Sequence, residues 1–154
     1  MSSEKAVLAL SDGSTFLGKS IGVKGKTNGE VVFNTSMTGY QEILSDPSYA
    51  KQIVILTYPH VGNTGTNSED SESGKIWSSG LVVRDMPFLG SSWRKENSLK
   101  EYLIANNTVA ISNIDTRRLT RLIRTKGVQS GAIVTGEGAS GKKAISLAKE
   151  FSGL

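Results

Sequence analysis

Ser48 is the residue whose setting most favours a role in chemistry. It lies in the run Asp46-Pro47-Ser48-Tyr49, where Pro47 disfavours helical geometry at Asp46 and presets the dihedral angle needed at the second position of a type I turn. The hydroxyl would then lie near the apex of a rigid turn, able to donate a hydrogen bond to a carboxylate or amide oxygen of a ligand. A serine in such a turn more commonly bonds local backbone, so both interpretations stay open.

The run GEGASGKK at 136–143 is similar to a phosphate-binding loop. It follows a predicted strand, precedes a predicted helix, and has Gly141-Lys142 at the required spacing. However, Lys143 occupies the position where a Ser or Thr hydroxyl would hold a magnesium ion. We therefore interpret the run as a flexible glycine-rich connection.

A stripe of basic residues is predicted along one helix. Arg117, Arg121 and Arg124 recur at helical spacing, next to Arg118 and Lys126. Phosphates of a nucleic acid could bind there, but no aromatic interleaving or nucleic-acid motif accompanies the stripe. A solvated or partner-docking face is the preferred interpretation.

The sequence offers few groups for metal binding or nucleophilic catalysis. His60 is the single histidine, and the absence of cysteine excludes disulfides, zinc-thiolate sites and a thiol nucleophile. No Gly-x-Ser-x-Gly elbow surrounds any serine. Glu69, Asp70 and Glu72 lack the calcium-loop pattern and are interpreted as part of a solvated loop. We expect no metal, no cofactor and no catalytic residue in this chain.

Composition predicts one globular domain over residues 1–154. Hydrophobic residues make up 37% of the chain and charged residues 21%, a balance typical of soluble folded proteins. No signal-peptide core or membrane-spanning run is present, so a cytoplasmic location is expected. Residues 1–93 carry seven basic and nine acidic side chains, whereas residues 94–154 carry eleven and five. The basic surface should therefore belong to the second half.

Hydrophobic periodicity and turn signals predict a mixed α/β (α+β) fold of about seven strands and three to four helices. The predicted strands are 6–10, 15–20, 31–33, 52–58, 76–84, 109–111 and 132–135. Thr38 and Gln41 have the spacing of a capping box for a helical turn ending at Leu44, and Ser98 and Glu101 have it for a second helix. Two further helices are predicted, from 115 or 116 to 126 and over 142–151. Loops are predicted at 22–29, 60–75 and 86–93.

Four stretches of the sequence resemble the small subunit of glutamine-hydrolysing carbamoyl-phosphate synthases. In order, they are LSDGSTFLG, GEVVFNTSMTGYQEILSDPSYAKQIVILTYPHVGNTGTN, SGLVVRD and AISNIDTRRLTRLIRTKG. Together they extend from about residue 6 to about residue 132, and motifs of this length rarely recur by chance. The resemblance implies the N-terminal domain of that subunit, a layered β/β/α domain of the swivelling type.

The resemblance also implies a function. In the complete subunit, a class I amidotransferase domain that follows this region hydrolyses L-glutamine through a Cys-His-Glu triad. The ammonia passes to a large subunit, which binds ATP and Mg²⁺ and makes carbamoyl phosphate from bicarbonate for arginine and pyrimidine synthesis. Ser48 matches the serine that reaches the glutamine held by the amidotransferase domain. This chain would dock the large subunit in a heterodimer, line the glutamine site and be inactive alone.

A second hypothesis comes from the basic second half of the chain. A free-standing, non-enzymatic adaptor could use such a surface to bind nucleic acid or an acidic protein. Binding to nucleic acid that falls steeply with salt would favour the adaptor, whereas co-purification with a large ATP-binding synthetase would favour the synthase subunit.

Overall fold

The computed structural model describes residues 4–35, 39–57, 75–84 and 93–151, with side chains left undescribed at 93–98. These ranges contain seven strands and four α-helices, as the mixed α/β prediction required. In chain order they are β1 (Lys5–Leu10), β2 (Thr15–Ser20), β3 (Lys26–Asn34), α1 (Tyr40–Leu44), β4 (Gln52–Leu56), β5 (Gly80–Val83), α2 (Trp93–Ala105), β6 (Val109–Ser112), α3 (Thr116–Lys126), β7 (Gln129–Thr135) and α4 (Gly141–Glu150). A 3₁₀ turn at Pro47–Tyr49 links α1 to β4.

The seven strands close into a barrel in the order β1-β2-β6-β5-β4-β3-β7. The neighbours from β3 through β4 and β5 to β6 are parallel, and the other pairs are antiparallel. Parallel neighbours need a crossover connection, which α1 supplies between β3 and β4 and α2 supplies between β5 and β6. β1 and β2, predicted as strands 6–10 and 15–20, form an antiparallel hairpin.

Strand alternation divides the apolar residues between the barrel interior and its outer surface. In β4, Ile53 and Ile55 belong to the interior cluster, together with Leu8 of β1. Their neighbours Val54 and Leu56 pack outward against residues of α1 and α2. Because side chains alternate along a strand, one short β4 sequence stabilises both layers.

The remaining two helices pack against different layers of the barrel. Leu119 and Ile123 of α3 join the interior cluster, so this helix closes one end of the barrel. Ala144 of α4 instead packs against Val7 and Ala9 on the outer side of β1. The barrel thus has helices on its outer surface and one helix across an opening.

Several local predictions need correction or fall outside the described residues. Residues 22–29 were predicted to be a loop, but β3 already begins at Lys26 because residues 26–31 pair with β7. The helix α2 begins at Trp93, so Ser98 is not its N-cap, and the predicted irregular stretch 86–93 is wrong at its last residue. The N-cap of α1 is Gly39 and makes no side-chain capping bond. Thr38, Tyr58 and residues 86–92 lie outside the described ranges.

Candidate functional site

Residues 46–49 form a tight corner between α1 and β4. Asp46 Oδ1 accepts a hydrogen bond from the backbone N–H of Ser48 at 3.0 Å, and the backbone N–H of Tyr49 donates to the Asp46 carbonyl, also at 3.0 Å. Pro47 occupies the first position of the 3₁₀ turn, where its fixed φ angle suits the geometry. The predicted tight turn is confirmed, and we call these four residues the 46–49 corner.

The 46–49 corner exposes the serine that was singled out from the sequence. Asp46, Pro47 and Ser48 are exposed, whereas Tyr49 is half-buried. The Ser48 side chain can therefore reach a ligand without any rearrangement of the core. Exposure makes contact with a ligand possible but does not identify the ligand.

The carboxylate of Asp46 helps to fix the backbone beneath Ser48. The backbone N–H of Ser48, and secondarily its hydroxyl, hold the pKa of Asp46 below its ordinary value of 3.8. Asp46 therefore stays ionised throughout the neutral range. A charged acceptor makes a stronger hydrogen bond than a neutral one, so the corner is held more firmly than an ordinary loop.

Sequence reasoning missed the two anchors that attach this corner to the barrel. Asn34 Nδ2 donates to the phenol oxygen of Tyr49 at 2.6 Å, and Tyr49 packs against the outer apolar cluster. On the other side, Ala50 forms a bridge with Ser78, and Lys51 adopts a left-handed φ of 65°. No short-range signal reveals the Asn34 contact, because it joins residues of different elements.

The predicted basic stripe lies on α3. Arg117, Arg118, Arg121 and Arg124 are all exposed, and we call these four residues the arginine face. The Arg118 guanidinium lies 4.2 Å from the centre of the Phe16 ring, and that of Arg124 lies 5.3 Å from the centre of the Phe33 ring. Lys126 at the end of the helix forms a salt bridge with Asp12 at 3.1 Å.

The stretch that is similar to a phosphate-binding loop serves a structural purpose. Ser140 Oγ accepts the backbone N–H of Lys143 at 3.2 Å and so caps α4. Ala139 is buried beside Val7, and its backbone N–H donates to the Gly136 carbonyl at 3.1 Å. A phosphate cradle needs its backbone N–H groups free, and here those of Gly136, Ala139 and Lys143 already have partners.

The structure shows neither a metal site nor a membrane-spanning helix within residues 4–35, 39–57, 75–84 and 93–151. No group of three or more His, Asp or Glu side chains within these ranges is arranged to hold a metal ion. None of the helices in the same ranges has the length and apolarity needed to cross a bilayer. His60, Glu69, Asp70 and Glu72 fall outside them.

The closed barrel that carries the 46–49 corner places the protein in the class of mixed α/β domains. Comparison with known proteins identifies its family. Residues 8–133 match the family described as "Carbamoyl-phosphate synthase small chain, CPSase domain". The chain belongs to this family, as the four motifs predicted.

Curated relatives agree over nearly the whole chain. The carbamoyl phosphate synthase small chain of Stutzerimonas stutzeri is 64% identical over 149 residues, which covers 97% of this chain and 39% of that protein. The corresponding small chain of Pseudomonas putida gives the same figures. That of Acinetobacter baylyi is 59% identical over 155 residues, covering 99% of this chain and 41% of that protein. The chain thus spans about 40% of the length of these relatives.

Proposed function

We propose that the chain is the N-terminal domain of the small subunit of a glutamine-hydrolysing carbamoyl-phosphate synthase. Membership of the family and high identity across nearly all of the chain support this assignment. The whole enzyme is then a cytoplasmic ligase that supplies carbamoyl phosphate for arginine and pyrimidine synthesis. The small subunit releases ammonia from L-glutamine, and the large subunit uses that ammonia with bicarbonate and ATP.

Within this assignment, the domain acts by positioning and docking. It contains no cysteine, so the nucleophile that attacks glutamine belongs to a class I amidotransferase domain outside this sequence. ATP and Mg²⁺ bind to the large subunit. The domain itself contributes one substrate contact and the surfaces on which the other parts of the enzyme assemble.

The exposed hydroxyl of Ser48 on the 46–49 corner is the observation on which the proposed substrate contact depends. Its backbone N–H is bonded to Asp46, and the next residue is tied to Asn34, so the hydroxyl is held on a fixed backbone. The hydroxyl also bonds the Asp46 carboxylate, so its oxygen can accept the amide N–H of glutamine, and its O–H can donate to a glutamine oxygen once it turns away from Asp46. The hydroxyl is not itself transformed. Its role is to orient the substrate, and it takes no covalent part in hydrolysis.

Reconstitution of the enzyme tests the assignment. The small chain containing this domain, mixed with its large subunit, should make carbamoyl phosphate from glutamine, bicarbonate and ATP. The 154-residue chain alone, incubated with glutamine, should release ammonia no faster than a blank. Glutamine hydrolysis by the isolated chain at an enzymatic rate would contradict the proposed division of labour. Failure of the small chain to associate with the large subunit would contradict the assignment itself.

A further inference from the structure

The arginine face of α3 lies directly opposite the side of the helix that packs into the barrel. At 100° per residue, Arg117 and Arg121 point along the centre of this face, and Arg118 and Arg124 lie at its two flanks. Leu119 and Ile123 on the opposite side are buried. The helix therefore presents a dense row of cations outward while its apolar side closes the barrel.

Aromatic rings hold the two flanking arginines in place. The guanidinium groups of Arg118 and Arg124 lie over Phe16 and Phe33, at 4.2 and 5.3 Å from the ring centres. Stacking leaves the N–H edge of a guanidinium able to bind a carboxylate, although Arg118 Nη1 also donates to the backbone carbonyl of Thr15 at 3.4 Å. Arg118 and Arg124 are therefore already ordered. Binding an anionic partner would cost little further side-chain entropy at these two positions.

The two central arginines have no acidic partner within the chain. Among the residues that the structure describes, no carboxylate lies within the 4.0 Å salt-bridge distance of Arg117 or Arg121. Like charges placed three or four residues apart on a helix repel one another. A cluster of this kind is relieved by negative charge supplied from another molecule.

A shallow hollow of about 340 Å³ lies on the same side of α3 and is lined by Arg118, Arg121, Leu122 and Thr125. It combines one apolar side chain, Leu122, with two cations. An acidic side chain from a partner could place its methylene groups on Leu122 and its carboxylate between the two guanidiniums.

We propose that the arginine face docks a carboxylate-rich surface of the large subunit. This inference rests on the proposed function, which supplies the partner.

Nucleic acid fits less well, because Phe16 and Phe33 lie beneath guanidinium groups and cannot stack on bases. The backbone of the 46–49 corner leads into the start of β4, whereas α3 follows the end of β6, which runs parallel to β4 through β5. The backbones of the 46–49 corner and of α3 thus join opposite ends of the parallel strands, while the Tyr49 side chain reaches the last residue of β3, and the separation of the two backbones leaves the arginine face for a different partner.

A paired charge reversal tests the proposal in the assembled enzyme. The small chain is prepared with Arg117→Glu and Arg121→Glu together, and a matched control carries Lys142→Glu and Lys149→Glu on α4. All four positions are exposed, and both double variants change the net charge by the same amount. Circular dichroism and Tm measurements establish that each variant is folded.

Affinity for the large subunit is then measured at about 50 and 300 mM salt, a range over which screening of exposed charges increases strongly. We expect the arginine variant to raise Kd at least about 10-fold at low salt and to lose most of the salt dependence. The control should remain within about 2-fold of the unaltered chain.

Three results would overturn the proposal, and each has a separate meaning. Unchanged affinity in the arginine variant, with normal binding by the unaltered chain, would refute the docking face alone. No binding by the unaltered chain would refute the proposed function together with this inference. Binding of duplex DNA or RNA that the arginine variant loses, while its affinity for the large subunit is unchanged, would assign the face to nucleic acid.

Discussion

The side-chain amide of Asn34 donates a hydrogen bond to the phenol oxygen of Tyr49 at 2.6 Å. This bond links the last residue of β3 to the turn that carries Ser48. The barrel wall therefore supports the corner through a side-chain contact as well as through the chain itself. The precision of the proposed glutamine contact depends on that support.

Removing the Tyr49 hydroxyl should loosen the corner. We expect Tyr49→Phe to lower the free energy of unfolding by about 1 kcal/mol, because a partly buried hydrogen bond is lost. In the assembled enzyme, the same change should raise the KM for glutamine by about 2–3-fold, less than removal of the Ser48 hydroxyl itself. Urea unfolding and glutamine-dependent kinetics provide the two measurements. Tyr102→Phe removes a phenol outside the corner and is the matched control, expected to leave KM unchanged.

A side chain at Gly29 should disturb the backbone that follows the corner. A Cβ at this position would lie 2.6 Å from the carbonyl oxygen of Lys51, the same oxygen that accepts the backbone N–H of Glu30. We expect Gly29→Ala to cost about 1–3 kcal/mol in the free energy of unfolding, because backbone must move to relieve the clash.

Gly39 provides the control for that substitution. A Cβ there would meet nothing within 4 Å, and its φ of −62° suits any residue. Gly39→Ala should therefore change stability by no more than about 1 kcal/mol, the scale of an N-cap preference. Equal destabilisation by both substitutions in urea unfolding would contradict the close approach of β3 to Lys51.

The N-cap residue Asp115 should stabilise α3, the helix that carries the arginine face. Asp115 Oδ1 accepts the backbone N–H of Arg118 at 3.0 Å, so Asp115→Ala should cost about 1 kcal/mol. Asp115→Ser keeps an oxygen able to cap the helix and should recover most of that loss. Thermal unfolding followed by circular dichroism measures both variants. A serine variant no more stable than the alanine variant would argue against a capping role.

Acid should selectively remove the stabilising effect of Asp12. Its carboxylate accepts the backbone N–H of Ser14 at 2.8 Å and lies 3.1 Å from Lys126 Nζ. Burial acts to raise the pKa, but the hydrogen bonds from Ser14 and Lys126 outweigh it and lower the pKa of Asp12 from 3.8 to about 2. Because the pKa is lower in the folded state, this carboxylate stabilises the fold fully above about pH 4, and the effect disappears as the pH falls through 2.

We therefore expect Asp12→Asn to lower Tm by about 2–4 °C at pH 7, the shift produced by about 1 kcal/mol in a domain of this size. The difference in Tm between the variant and the unaltered chain should shrink from pH 4 downward and vanish near pH 2. A difference that stays the same from pH 7 to pH 2 would show that Asp12 stabilises the hairpin without its charge.

Local sequence signals predicted those parts of the fold that local physics determines. Asp115 caps α3 and Gly127 follows its end, as their residue types predicted. The turn between β1 and β2 likewise follows from its Asp-Gly pair, with Gly13 at a φ of 99°. In each case the residues that determine the structure are close neighbours in the chain.

Long-range pairing explains the parts that were missed. Lys26 to Gly29 have the composition of a loop, yet they are strand because β7, about a hundred residues away, pairs with them. Closure of the barrel depends on the same pairing and has no local signature. For the candidate site, the Asp-Pro-Ser-Tyr run predicted a rigid turn, but the support from Asn34 appeared only in three dimensions.

The kinetics of a Ser48→Ala variant in the assembled enzyme test the central claim most directly. Ser48→Thr, which keeps a hydroxyl, and Ser146→Ala, at an exposed serine on α4, are measured beside it. We predict that Ser48→Ala raises the KM for glutamine about 5–10-fold, the effect of one lost substrate hydrogen bond, that Ser48→Thr restores part of it, and that Ser146→Ala changes nothing. The rate with free ammonia in place of glutamine should stay the same in all three. An unchanged KM for glutamine in a folded, assembled Ser48→Ala enzyme would contradict the claim that the 46–49 corner contacts the substrate.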